Sequence, residues 1–428
     1  MNKVDKIVIC ILQIIFFITP FSMVISLQLP VLQIGDVSFI NVLKDIFLIL
    51  ICLLIIYKLI KKRKLSIDNF SMLIISFVIY GVMHIFISNV TPIRSINKFR
   101  TVFLYPIVFT FICLYVINFK KYKILHEYIE GIKKIFFIQI MILICGSLLE
   151  MIMGEKFLRI IYKGYYERLH INLLGQEGLR LVSFVGNPIN LSLILCVGLA
   201  YFLFVYSGIT RYFLIPLIIA VILLSFSRTS YLIAGIIILI YIIYSMNKIK
   251  NIIKMIISIL GILIFGSLIF NSSYLTEKSS FVSKRVETIN IKTLSENIRV
   301  DNWNRYLNET FKDNILYMSW GGGLGTSNSD SSQKTDSVYI VENSYISILG
   351  EMGIIGLVFY LTIIIITLKK IIKLSKYNIE YRVFLSIYLG LCIGSGFNDL
   401  YVNNPFSQYF WIITMMVNCR FYKVYLQK

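Results

Sequence analysis

A guanidinium offers a planar fork that grips two phosphate oxygens at once, which a lysine ammonium cannot do. Two arginines put such forks beside long apolar runs: Arg180 in "EGLRLVSFVGNP" and Arg228 in "LLSFSRTSYLIAG". A guanidinium at a bilayer boundary costs a few kcal/mol unless something anionic or watery meets it. Only one helical hairpin separates the two positions, so they could converge. Arg94 and Arg100 in "TPIRSINKFRT", and Arg299 and Arg305 in "TLSENIRVDNWNRYLNETF", extend the set. Gathered in one place, these forks would make a receptor for a lipid pyrophosphate. The alternative is that each snorkels to headgroups or pairs with a nearby acid.

A second constellation is "YIVENSYISILGEMGIIGLVFYL". Glu342 and Asn343 stand just before a long apolar run. A carboxylate there, facing an arginine-rich cavity, could take a proton from a sugar hydroxyl; equally, the pair could cap the helix that follows or balance an arginine. Glu351 lies inside the run, between glycines that allow close helix packing. Intramembrane acids mark functional sites by default, although pairing with an arginine would also account for this one.

The elements that must position these groups are membrane helices. The 428-residue chain is 57% hydrophobic with a mean hydropathy of +0.80, and its apolar residues fall in stretches of about 17 to 25, the length that crosses hydrocarbon. The class is all-α, because lipid-exposed backbone must satisfy its hydrogen bonds within each segment. About twelve spans meet the length criterion, near residues 7–28, 39–60, 70–88, 101–118, 133–153, 188–207, 211–226, 229–246, 255–270, 344–367, 381–397 and 406–424. No small-residue cleavage site follows the first, which reads as a retained span rather than a removed signal.

The net charge of +20 sits mainly in lysine clusters such as "KLIKKRK" and "NKIKNIIK". Alternate connections carry them, as the positive-inside rule requires when both termini are cytoplasmic. That placement argues for a membrane protein rather than a partner of nucleic acid. Two long segments then lie outside, near 154–187 and 271–343. Connections of that length are functional or disordered. The second carries a Thr293-x-x-Glu296 capping box and places Val300, Trp303, Leu307 and Phe311 at helical spacing, followed by the glycine-rich "WGGGLGTSNSDSSQ". The organisation is therefore three parts: 1–270 with nine spans and the loop near 154–187, 271–343 as the large external loop with its amphipathic helix, and 344–428 with the last three spans.

The seven cysteines lie in apolar segments without CxxC spacing, and the three histidines are scattered, so neither disulfides nor a metal site is expected. There is no Asp-x-Asp pair on an external loop, no GxxxxGK[ST] and no HExxH. No cofactor is called for; arginines would supply the charge for any phosphate chemistry.

The order of motifs resembles the O-antigen polymerase and O-antigen ligase superfamily: Arg180 before "FVGNP", the Ser227–Arg228 junction, the large loop with Arg299, Trp303, Gly323 and Gly325, and then "ENSYISILGEMGIIG". The resemblance covers roughly residues 150 to 367. It implies a membrane-embedded glycosyltransferase of the C type in the bacterial cytoplasmic membrane, acting at its outer face. Its donor and acceptor would be glycans on undecaprenyl pyrophosphate, with membrane lipids around it and a chain-length regulator as a possible protein partner. Arg180 and Arg228 would hold the pyrophosphate, Glu342 would act as base or orient the acceptor, and Arg94, Arg100, Arg299, Asn343 and Tyr345 would bind substrate. The ligase branch has a histidine where this chain has Glu342, in an otherwise similar "NSY" motif, which favours a repeat-unit polymerase making O-antigen or capsular polysaccharide. The alternatives are an O-antigen ligase, which hands polymer to a lipid A core, and a flippase for lipid-linked oligosaccharides. Transporters are usually built from related halves, which this chain lacks.

Overall fold

The computed structural model describes residues 3–28, 33–34, 37–62, 65–88, 90–163, 180–206, 208, 211–245, 298–311, 315–328 and 339–419. Among them the chain is helical. The only strand pairing there consists of two two-residue ladders, β1 (Gln33–Ile34) with β2 (Val37–Ser38), antiparallel, and β3 (Ser327–Asn328) with β4 (Tyr339–Ile340), parallel. Six described helices are long and apolar enough to cross a membrane, so this is a multi-pass membrane protein. The expected span near 255–270, the Thr293–Glu296 capping box and the tail beyond residue 419 fall outside the described residues.

The first span is broken. Helix α1 (Lys3–Ile18) runs into a 3-10 turn at Thr19–Phe21 and resumes as α2 (Ser22–Gln28). Pro20, which lacks an N–H for the helical ladder, stands at the break. Then come α3 (Phe39–Ile60), α4 (Asn69–Ile87), α5 (Pro92–Phe119) and α6 (Tyr122–Met153). The last two begin earlier than apolar length alone suggests. Pro92 starts α5 at its first turn, where the missing N–H is harmless, and this draws Arg94, Lys98 and Arg100 into the helix. Likewise "YKILHEYIEGIKK", expected as a connection, forms the first turns of α6.

A short α7 (Glu155–Tyr162) precedes α8 (Pro188–Phe204), α9 (Arg211–Leu224) and α10 (Arg228–Ser245). The large loop contributes α11 (Ile298–Phe311) and α12 (Ile315–Trp320). Helices α13 (Ser344–Ser375), α14 (Ile379–Gly394) and α15 (Phe406–Asn418) complete the order. The centre is made by α5, whose most apolar window is 72% buried against 39–50% for the other five candidate spans, and by α15, buried along its whole length. These two pack together. Around them α10 packs on α14, where Gly390 and Gly394 admit Ile233 so closely that an added methyl would overlap it, the small-residue contact that membrane helices favour.

Polar groups concentrate at the two ends of the bundle. At one end Asp5 of α1 accepts from the Tyr115 hydroxyl at 2.7 Å and pairs with Lys58 and Lys121, and Lys133 bridges Glu130 and Glu380. The antiparallel course of the helices puts the starts of α5, α10, α13 and α15 at the other end.

Candidate functional site

The segment after Arg180 is built into that second end rather than lying over it. Glu150, in the last turn of α6, is 3% exposed, and its carboxylate accepts the backbone N–H groups of Val182 (3.0 Å) and Ser183 (2.6 Å). Tyr162 donates its hydroxyl to the Ser183 carbonyl at 2.6 Å. Held this way, Leu181, Val182 and Val185 are buried, and Asn187 caps α8 by accepting from Ile189 and Asn190.

From this anchored strip Arg180 reaches the connection between α9 and α10. Its Nε donates to the Ser225 carbonyl at 2.8 Å and its Nη2 to the Phe226 carbonyl at 3.2 Å. Phe226 has φ of 50°, a left-handed conformation rare for a bulky residue, which the guanidinium helps to hold. Two residues on, Arg228 opens α10 with its side chain exposed, at the helix end whose dipole favours an anion. The structure thus brings Arg180 and the Arg228 turn together, with part of the Arg180 fork committed to carbonyls.

The opening of α10 is tied onward. Asn398, between α14 and α15, donates to the Thr229 hydroxyl at 2.6 Å. The same connection receives the start of α13: Ser344 donates its backbone N–H to Ser395 (2.8 Å) and Asn343 its amide to Gly396 (2.8 Å). Asn343 is the cap of α13, accepting from Tyr345 and Ile346. Glu342, one residue before it, is half-buried. The Tyr345 hydroxyl donates to the Cys392 carbonyl at 2.6 Å, so it acts within the helix packing.

Beneath this lies a buried charge cluster that motif reading did not assemble. Lys98 of α5 is 3.4 Å from Glu351 of α13 and 3.6 Å from Asp399, with side chains 10%, 0% and 1% exposed. The salt-bridge partner of Glu351 among the described residues is this lysine. Its Oε1 also accepts from Gly325 N (3.1 Å), Ser327 N (3.3 Å) and Ser327 Oγ (2.7 Å), while Oε2 is buried with no hydrogen-bond partner among the described residues. Burial pushes the Asp399 carboxyl above the usual carboxylate range, against the opposing pull of Lys98 and Ser344. Arg94, one turn before Lys98, lies within electrostatic reach of Glu351. Arg100 turns to a different neighbour and pairs with Asp45 of α3 at 2.7 Å. Arg299 falls in the first turn of α11, where only the backbone is described.

The glycine-rich stretch after α12 enters the bundle at this cluster. Helix α13 is kinked at Gly353, whose φ of 65° and ψ of −170° break the ladder, and the carbonyls on its N-terminal side need new donors. Gly322 N meets the Gly350 carbonyl at 2.8 Å, Gly323 N the Glu351 carbonyl at 2.9 Å, and the Tyr80 hydroxyl the Met352 carbonyl at 3.0 Å. On the other side Leu324 accepts from Ser88 (2.8 Å) and Ser95 (2.9 Å) and donates to His84. A Cβ on Gly353 would lie 2.2 Å from the Ser319 carbonyl oxygen, and one on Gly323 2.3 Å from the Ser88 Cα. Helix α11 forms as its spacing predicts. Its fully buried residue is Tyr306, against Gly350 and the Thr326 hydroxyl, while Val300, Trp303, Leu307 and Phe311 are half-buried beside it.

Lys98, Asp399 and Glu150 escaped the motif reading. The signal for each is a charge near the end of an apolar run, in "SINKF", "FNDLY" and "LLEMI"; only folding reveals their partners.

Residues 213–361 match the family described as O-antigen ligase, which supports the O-antigen polymerase and ligase superfamily. The matched stretch contains Arg228, Arg299, the glycine-rich loop, Glu342 and Glu351, and leaves Arg180, Lys98 and Asp399 outside it. No curated protein matches the chain.

Proposed function

Proceeding from a multi-pass membrane protein whose residues 213–361 match the O-antigen ligase family, we propose that the chain polymerises undecaprenyl-pyrophosphate-linked oligosaccharide repeat units at the outer face of the bacterial cytoplasmic membrane. The observation that carries this reading is the turn at residues 225–227, held from one side by Arg180 and presenting Arg228 at the start of α10. An acceptor hydroxyl at the end of one lipid-linked unit attacks the anomeric carbon of the glycan carried by another. The bond from that carbon to the pyrophosphate oxygen breaks, and undecaprenyl pyrophosphate departs with the electron pair. Arg228 and the N-terminus of α10 meet the charge developing on the leaving phosphate, where partial exclusion of water strengthens the contact. Arg180 fixes the turn from which Arg228 works. Glu342, at the mouth of α13, receives the hydroxyl proton. The energy is stored in the phosphate-linked sugar, so the step needs no nucleotide.

Arg228→Lys keeps the charge and removes the fork. Expressed in the host, it is expected to insert normally and to abolish or severely shorten the glycan ladder; a wild-type ladder would remove the phosphate-gripping role. The description of the matched family favours a second reading, the ligase. Deleting the gene separates the two, since loss of a polymerase leaves surface glycan of a single repeat unit, whereas loss of a ligase strands full-length polymer on its carrier lipid.

A further inference from the structure

A cavity of about 230 Å³ opens at the same end of the bundle, between the break in the first span, the start of α8 and the start of α15. Its polar lining is Thr19, Ser22, Asn187, Asn190 and Asn404, and no charged residue lines it among the described residues. The polar groups there have hydrogen-bonding capacity in hand. Asn187 uses its Oδ1 on the α8 cap and keeps its NH₂ donors. The Asn190 side chain makes no hydrogen bond among the described residues, and the Asn404 Oδ1 is buried with no partner.

Two of its three walls belong to segments already tied to the arginine turn. Val185, Gly186 and Asn187 continue the strip that begins at Arg180, and Asn404 lies on the connection whose Asn398 bonds Thr229. Primary amides donate and accept together, the pairing that vicinal sugar hydroxyls need. The volume exceeds that of a cavity of about 150 Å³ that takes a benzene ring, space for one pyranose ring. We infer that this cavity is a subsite for a neutral sugar ring of the lipid-linked glycan, read by the amides of Asn187, Asn190 and Asn404. The inference rests on the glycan-transfer reading above and adds the class of sugar: uncharged, because among the described lining residues there is no cation to balance a carboxylate.

The test is saturation-transfer NMR on the full-length protein in nanodiscs, with galactose, N-acetylglucosamine, rhamnose and glucuronate as separate probes. At least one neutral sugar receives saturation and glucuronate does not. Asn190→Leu, which removes the amide without filling the space, weakens that binding about tenfold, the worth of one well-made hydrogen bond. Asn190→Trp fills the cavity and abolishes it. Ser22→Phe fills it from the opposite wall and does the same, so the result does not hang on one variant's folding. Absence of saturation for every neutral sugar, equal signals from wild type and both filled variants, or glucuronate binding as well as the neutral sugars, would overturn the assignment. Arg228→Lys keeps the sugar signal, so a wild-type glycan ladder from that variant would count against the transfer mechanism alone.

Discussion

At the scale of single residues, the cations at the site end divide into those that hold structure and those that face outward. Arg180 and Arg100 are engaged by Ser225, Phe226 and Asp45, and Lys98 by two carboxylates, while Arg228 is exposed at a helix start. Removing one member of a buried ion cluster leaves the others uncompensated, which costs about 3–5 kcal/mol. Lys98→Met is therefore expected to destabilise the purified protein by that amount in thermal unfolding, and Lys98→Met with Glu351→Gln, which keeps an acceptor for Gly325 and Ser327, to recover part of it. A double variant no more stable than Lys98→Met would show that the lysine is not the charge partner. Tyr345→Phe loses one hydroxyl bond to Cys392, worth about 1 kcal/mol, and is expected to leave the glycan ladder intact. A shortened ladder would assign that hydroxyl to substrate instead.

At the scale of elements, the kink in α13 and the glycine-rich loop form one unit. The carbonyls of Gly350 and Glu351 take loop N–H groups, so the loop completes the helix and the helix orients the loop. Gly353 sits at φ 65° with the Ser319 carbonyl against it. Gly353→Ala puts a side chain at φ 65° and ψ −170°, a region essentially only glycine occupies, at about 1–3 kcal/mol, and adds an overlap with that oxygen. It is expected to undock the loop, read as faster maleimide labelling of a cysteine placed at Leu324, which is fully buried. Unchanged labelling would mean that the loop is held by Glu351 and Ser95 without the kink. The helical spacing of the α11 segment was legible beforehand because period is a local property. The docking of the loop was not, because Gly322 and Gly350 are partnered only by the fold.

At the scale of the whole molecule, the alternation of lysine-rich connections predicts both termini in the cytoplasm and the site end outside. Lys61 and Asp301 are exposed at connections assigned to opposite sides. In intact cells a membrane-impermeant maleimide should label Asp301→Cys, and should reach Lys61→Cys only after permeabilisation; the reverse pattern would invert the topology and place the arginine turn on the wrong face for an outer-leaflet donor. The central position of α5 and α15 is what lets this end be polar. Charges that would be costly against lipid lie inside the ring of outer helices, where Lys98 pairs with both Glu351 and Asp399.

What the residues determine by themselves is everything that depends on near neighbours: the run of apolar helices, the amphipathic helix in the large loop, and the arginines and acids that stand at helix ends. Those follow from hydropathy, period and charge within a window of about twenty residues. Only the tertiary structure decided that Glu351 meets a lysine, that Arg180 braces the turn below Arg228, and that three asparagines line one cavity. Such pairings join distant segments; Lys98 and Ser347, in hydrogen-bond contact, are 249 positions apart. Nothing in a local window selects among the partners that burial makes necessary, and close packing of the helices makes that selection.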